Sequence, residues 1–137
     1  MTIAPNEYQE AAISTEIYSA AANAFIEEVT HVIPVVGFEN QYITLTNSLK
    51  LMYCVGKLNG ESGEAAEIVF KAFRGNLGQL SDEERIKLAK ELGDIQWYVA
   101  NIADLIGYKL EDIMQMNVEK LQDRKDRGVI HGYGDER

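Results

Sequence analysis

The chain has 137 residues, with 13 Lys+Arg against 22 Asp+Glu and a formal net charge of -9. That size fits one domain, residues 1–137, with its own core, and the charge excludes a binder of nucleic acid polymers or anionic membranes, which needs a net basic face. A single cysteine, Cys54, excludes an intramolecular disulfide framework and fits a reducing, cytoplasmic setting, and no run approaches the ~20 apolar residues of a membrane span.

Met1 to Glu10 has no basic residue, so it does not read as a secretory leader. Pro5 suits the first turn of a helix, and Asn6 to Ala24 is rich in Ala, Glu, Gln and Tyr. A helix is expected from Pro5, with a break near Ser14-Thr15. Val29 to Gly37 is β-branched and interrupted by Pro34, which predicts an irregular crossover or at most a short extended piece. From Tyr42 to Phe73 the apolar residues Ile43, Leu45, Leu49, Met52, Tyr53, Val55, Ala65, Ile68, Val69 and Ala72 keep a three-and-four spacing. That predicts a long helix, weakened by Gly56, Gly60 and Gly63, with a bend or break near Gly56–Gly60. Gly75 to Leu80 reads as a loop. Ser81-Asp-Glu-Glu84 is a capping-box pattern that opens a helix from Asp82 to about Ile106, stopped by Gly107. A last helix spans about Leu110 to Arg127 and ends at Gly128, before a polar tail from His131 to Arg137 that is expected to be mobile. Nothing reads as a strand, so the fold class is all-α, a helical bundle.

Two motifs carry chemistry: Glu61-Ser-Gly-Glu64, followed by Glu67, and Glu91-Leu-Gly-Asp94. In each, two carboxylates three residues apart share a helix face. If the two helices pack antiparallel, four carboxylates meet across one seam, a donor set for Mg²⁺ or Mn²⁺ rather than Zn²⁺. Acidic pairs at this spacing are common on solvated helix faces. These two differ because the second runs into the apolar stretch Ile95-Gln-Trp-Tyr-Val-Ala100, and neither has a Lys four residues on. Gly63 and Gly93, each just before the second acid, suggest close approach of a partner helix or of a bulky ligand. A di-iron bundle would pair Glu with Glu-x-x-His. Of the two histidines, His31 follows Glu28 at that spacing but His131 follows Gly128, so the second motif such a bundle needs is missing and this reading is disfavoured. A Cys54-His or Ser-His-Asp nucleophile has no better support.

At these residues the sequence resembles the MazG-like nucleoside triphosphate pyrophosphohydrolases of the all-α NTP pyrophosphatase superfamily, whose signature is ExxE, a spacer, then ExxD. Asn6-Glu-Tyr-Gln9, Leu58 to Glu67, Glu91 to Tyr98 and Met116 to Arg124 carry the likeness. Gly60 stands where many members have a further acid, and Glu16 to Asn40 is longer than a simple linker. The resemblance implies a four- to five-helix bundle that hydrolyses (deoxy)nucleoside triphosphates between the α and β phosphorus atoms. Glu61, Glu64, Glu91 and Asp94 would be Mg²⁺ ligands, and Glu64 or Glu67 a proton acceptor. Asn117, Lys120 and Arg124, on one face of the last helix, would contact the nucleotide or its phosphates, with Lys71 a weaker candidate. Tyr98, one turn after Asp94, would flank the base or sugar, whereas Trp97 more simply packs the core. Lys120 and Arg124 also complement a helix C-terminus whatever else they do. The alternative function is a catalytically silent helical oligomerisation or nucleotide-binding module of the same fold.

With 46% hydrophobic residues in so few helices, Met52, Tyr53, Val55, Val99, Ile102, Ile106, Ile113 and Met114 are not all expected to be buried within one chain. Exposed apolar stripes of that kind mark an interface. A homodimer or homotetramer is expected, with the base pocket near the subunit boundary, as the resemblance also implies.

Overall fold

The structure is a computed structural model that describes the backbone of residues 2–32 and 39–129 and the side chains of residues 2–28 and 46–129. It holds five helices: α1 (Pro5–Ser14), α2 (Tyr18–Val32), α3 (Glu39–Asn76), α4 (Asp82–Leu105) and α5 (Leu110–Asp126). There is no strand among the described residues, as the patterning predicts. No helix is long and apolar enough to cross a membrane among the described residues.

The starts and stops follow local chemistry. Pro5 opens α1, and the Glu7 carboxylate accepts from the Ala4 amide at 2.9 Å. Ser81 caps α4: its Oγ accepts from the Glu84 amide at 3.3 Å, while Glu84 accepts from the Ser81 amide at 2.8 Å. Helices α4 and α5 both end on a glycine with positive φ, Gly107 at 78° and Gly128 at 70°. Each is closed by an amide reaching back five residues, Tyr108 to the Ala103 carbonyl and Val129 to the Arg124 carbonyl, both at 2.9 Å.

Two expectations are corrected. Helix α3 runs without a break through Gly56, Gly60 and Gly63, from Glu39 to Asn76. Each interior glycine costs about 1 kcal/mol relative to alanine, but the packing of α3 on α4 buries Cys54, Ala65 and Ala72 and outweighs that cost. Val29 to Val32 belong to α2, so the β-branched stretch is helical to that point; tertiary context overrides a weak local propensity. The rest of the crossover, including Pro34, and the tail from His131 lie outside the described residues.

The architecture is an antiparallel hairpin of α3 and α4, with α2 on α3, α1 on α4, and α5 against α1 and α4. Small residues make the seam: Cys54, Ala100 and Ala103 are fully buried and Ala72 nearly so. One polar network crosses the interior. The buried Tyr18 hydroxyl donates to Asn101 Oδ1 at 3.0 Å, and Asn101 Nδ2 donates to the Trp97 carbonyl at 2.8 Å. Burial pushes the Tyr18 hydroxyl pKa well above its ordinary value, so it stays a donor. Much apolar surface stays open in the single chain: Met52, Phe70, Phe73, Ile86 and Val118 are all exposed, and Val99, Ile102 and Ile113 are half-buried.

Candidate functional site

The α3–α4 hairpin decides which acids meet. Glu61 and Glu64 lie one turn apart on α3, and Glu91 faces them from α4. One carboxylate oxygen of each lies within 4.8 Å of the others, and Glu61 and Glu91 are half-buried while Glu64 is exposed. Burial and then the charges of Glu64, Asp94 and Glu61 push the Glu91 pKa above the usual carboxylate range. This is the electrostatic mark of a site short of positive charge. The donor set, three carboxylates in mutual reach, suits a hard divalent cation.

Asp94 stands beside this cluster rather than in it. It is exposed and lines a recess of about 240 Å³ with Glu61, Thr15, Ile17, Trp97 and Tyr98. The Tyr8 hydroxyl donates to the Gly93 carbonyl at 3.2 Å, next to Asp94, whose charge adds to burial in raising the Tyr8 pKa. Trp97 is half-buried: its indole Nε1 donates to Thr15 Oγ1 at 2.8 Å, and its ring meets Tyr98 edge-on at 4.8 Å and Tyr18 at 6.3 Å. Trp97 therefore both packs between helices and walls the recess. Tyr98 sits beside it, its hydroxyl pKa raised mainly by burial.

A second, wider recess of about 450 Å³ opens on the other side of the cluster, lined by Gly60, Gly63, Glu64, Glu67, Ile68, Lys71, Lys87 and Glu91. Glu67 is held there by Lys71 and Arg74, each at 3.4 Å. A Cβ added at Gly63 or at Gly93 would meet nothing within 4 Å. The close helix approach expected at these glycines is therefore absent within the chain, and what they leave is open space beside the acids.

Asn117, Lys120 and Arg124 do share one face of α5, with Asn117 and Lys120 exposed and Arg124 half-buried. Among the described residues, however, α5 touches α1 and α4 but not α3. In the single chain the backbone that carries these residues does not pack on α3, which carries Glu61 and Glu64. Residues that sequence reasoning missed are Tyr8, Thr15, Ile17, Lys57 and Lys87. Tyr8, Thr15 and Ile17 reach the site only through the packing of α1 on α4. Lys57 lies one turn before Glu61 and pairs with it at 3.0 Å, a spacing that was legible.

A profile of the MazG nucleotide pyrophosphohydrolase domain matches residues 50–129. The chain is also 47% identical over 87 residues, 64% of its length and 76% of the relative's, to the Gene 37 protein of Mycobacterium phage L5. No solved structure matches the chain significantly. The matched residues carry the acid cluster, the helix hairpin and α5, while α1 and α2 lie outside them.

Proposed function

The chain belongs to the MazG nucleotide pyrophosphohydrolase family, and from that premise we propose that it hydrolyses (deoxy)nucleoside triphosphates between the α and β phosphates, giving nucleoside monophosphate and pyrophosphate. The observation that carries this reading is the meeting of Glu61, Glu64 and Glu91 within 4.8 Å across the α3–α4 seam. In it, Glu61, Glu64 and Glu91 hold Mg²⁺, with Mn²⁺ a substitute, and Asp94 is the fourth acid of the set. That ion would supply charge to offset the phosphate oxygens and would lower the pKa of the attacking water.

The remaining roles fall to this chain's own groups. Glu67, at the rim of the wider recess, or Glu64 takes the proton from the attacking water. Lys71, on the same rim, offers charge to the phosphates. Trp97, Tyr98 and Ile17 form an apolar wall for the base or sugar, which Thr15 keeps in place by accepting from the indole. Residues 1–137 act as a single domain, since α1, outside the matched span, packs on α4 and α5 within it. The setting is cytoplasmic, in keeping with a single buried thiol.

Asn117, Lys120 and Arg124 complete the site from a second copy of the chain. Two features support a homodimer, with a homotetramer as its larger form: the separation of α5 from α3 and the apolar surface open on α3 and α5. Light scattering that returns an active species of 15.4 kDa would refute the shared site.

The deciding assay incubates the protein with a panel of dNTPs and NTPs and Mg²⁺ and follows products by phosphorus NMR. Monophosphate and pyrophosphate are expected, with loss of both in EDTA. Diphosphate and inorganic phosphate would overturn the α–β cleavage. Nucleotide binding with no turnover would leave a silent binding module.

A further inference from the structure

Lys57 is unlike the other lysines paired along these helices. Glu67–Lys71 and Glu83–Lys87 run acid first, base four residues later, the order that favours a helix. Lys57–Glu61 runs the other way, at 3.0 Å. It therefore contributes little as a helix-stabilising pair, and it engages a member of the acid cluster rather than a bystander. The two partners also differ in setting: the Glu61 side chain is only 13% exposed, whereas Lys57 is 45% exposed at its edge. The ammonium further lies within electrostatic reach of Tyr98, which walls the recess shared by Glu61 and Asp94.

We propose that Lys57 is a phosphate-contacting residue of this site, held on Glu61 until a divalent cation takes that carboxylate and then turned to the triphosphate of the substrate. This rests on the function proposed above and adds a residue to it. The physical reason is competition for one anion. A cation on Glu61 would repel the ammonium beside it, and a pair whose lysine is 45% exposed to water leaves that ammonium able to exchange partners. The four-carbon stem and rotatable ammonium let Lys57 follow the charge to a new oxygen. The triphosphate arrives with the negative charge that Glu61 no longer offers. Lys57 thus ties the two events: it opposes metal binding to the empty site and rewards it once nucleotide is present.

The test uses the full-length protein and two variants, Lys57→Gln and Lys57→Arg, with helix content checked by circular dichroism. Free Mn²⁺ is measured by electron paramagnetic resonance without nucleotide, and KM and kcat for a dNTP at saturating Mg²⁺. Lys57→Gln is expected to bind Mn²⁺ roughly two- to fivefold more tightly and to raise KM roughly tenfold, with little change in kcat. Lys57→Arg is expected to return both values toward wild type. A wild type that turns over dNTPs while Lys57→Gln equals it in Mn²⁺ affinity and KM would overturn the Lys57 assignment and leave the proposed function standing. Weaker Mn²⁺ binding by Lys57→Gln would overturn it too. A wild type with neither Mn²⁺ binding nor turnover would overturn both.

Discussion

Gln9 is a buried side chain that ties the start of α5 to α1 and α4, and its removal has a calculable cost. It is 7% exposed, at the junction of α1, α4 and α5. Its Nε2 donates to the Tyr108 carbonyl at 3.0 Å and to the Ala100 carbonyl at 3.5 Å, and its Oε1 accepts from the Leu110 amide at 2.8 Å. Leu110 opens α5, so Gln9 satisfies one of the amides that a helix start leaves without an internal partner. Gln9→Leu keeps the volume but strands the Leu110 amide and the Tyr108 carbonyl. At about 1 kcal/mol or somewhat more for each partly buried group, the loss is about 2–3 kcal/mol. For a chain of this size that is a fall in Tm of about 10 °C. Urea denaturation followed by circular dichroism measures it. Gln9→Glu sharpens the test: it keeps the acceptor for Leu110 but sets a carboxylate oxygen against the Tyr108 carbonyl. Its deficit should match or exceed that of Gln9→Leu at neutral pH and shrink in acid, where the protonated acid can donate. Either variant within 0.5 kcal/mol of wild type at neutral pH would refute the reasoning.

Four further expectations concern the acid cluster and its scaffold. Glu64→Gln should weaken Mn²⁺ binding, because an amide is a poorer hard-cation ligand than a carboxylate. Asp94→Asn should lower turnover roughly 10–100-fold or more at unchanged helix content; near wild-type turnover at limiting Mg²⁺ would remove Asp94 from the site. The Glu91 pKa is raised on folding by burial and by its acidic neighbours. The folded state therefore holds a proton more tightly than the unfolded one, and metal-free stability should rise as pH falls through the interval from the raised folded pKa down to the ordinary glutamate value. Glu91→Gln should flatten that rise in pH-dependent melting, as should added Mg²⁺, and an unchanged profile in the variant would exclude Glu91 as its source. Ser81→Ala should cost about 1 kcal/mol by removing the α4 cap, read from the same urea titration, and a neutral result would show that the hairpin turn is held by other contacts.

The sequence by itself determined the helices wherever their ends carry local chemistry. Pro5, the Ser81 capping box, Gly107 and Gly128 act through backbone groups a few residues away, so their effect is written in the neighbouring letters. The same holds for the acid pairs, since a three-residue spacing on a helix fixes a shared face without reference to anything distant. It failed at Gly56–Gly60 and at Val29–Val32, where propensity argued for a break and for extended chain. At Gly56–Gly60 the packing of α3 on α4 supplies stabilisation that no local window contains, and at Val29–Val32 the chain continues α2. Only the tertiary structure decided which carboxylates meet. The α3–α4 register puts Glu91 beside Glu61 and Glu64 and leaves Asp94 one turn along, in a recess with Thr15 and Ile17 from the α1–α2 joint. It also set α5 away from α3. Helical periodicity fixes which face a residue occupies but not which helix that face meets. That is settled by how whole helices pack, with Ala65 and Ala72 of α3 and Ala100 and Ala103 of α4 buried in the bundle.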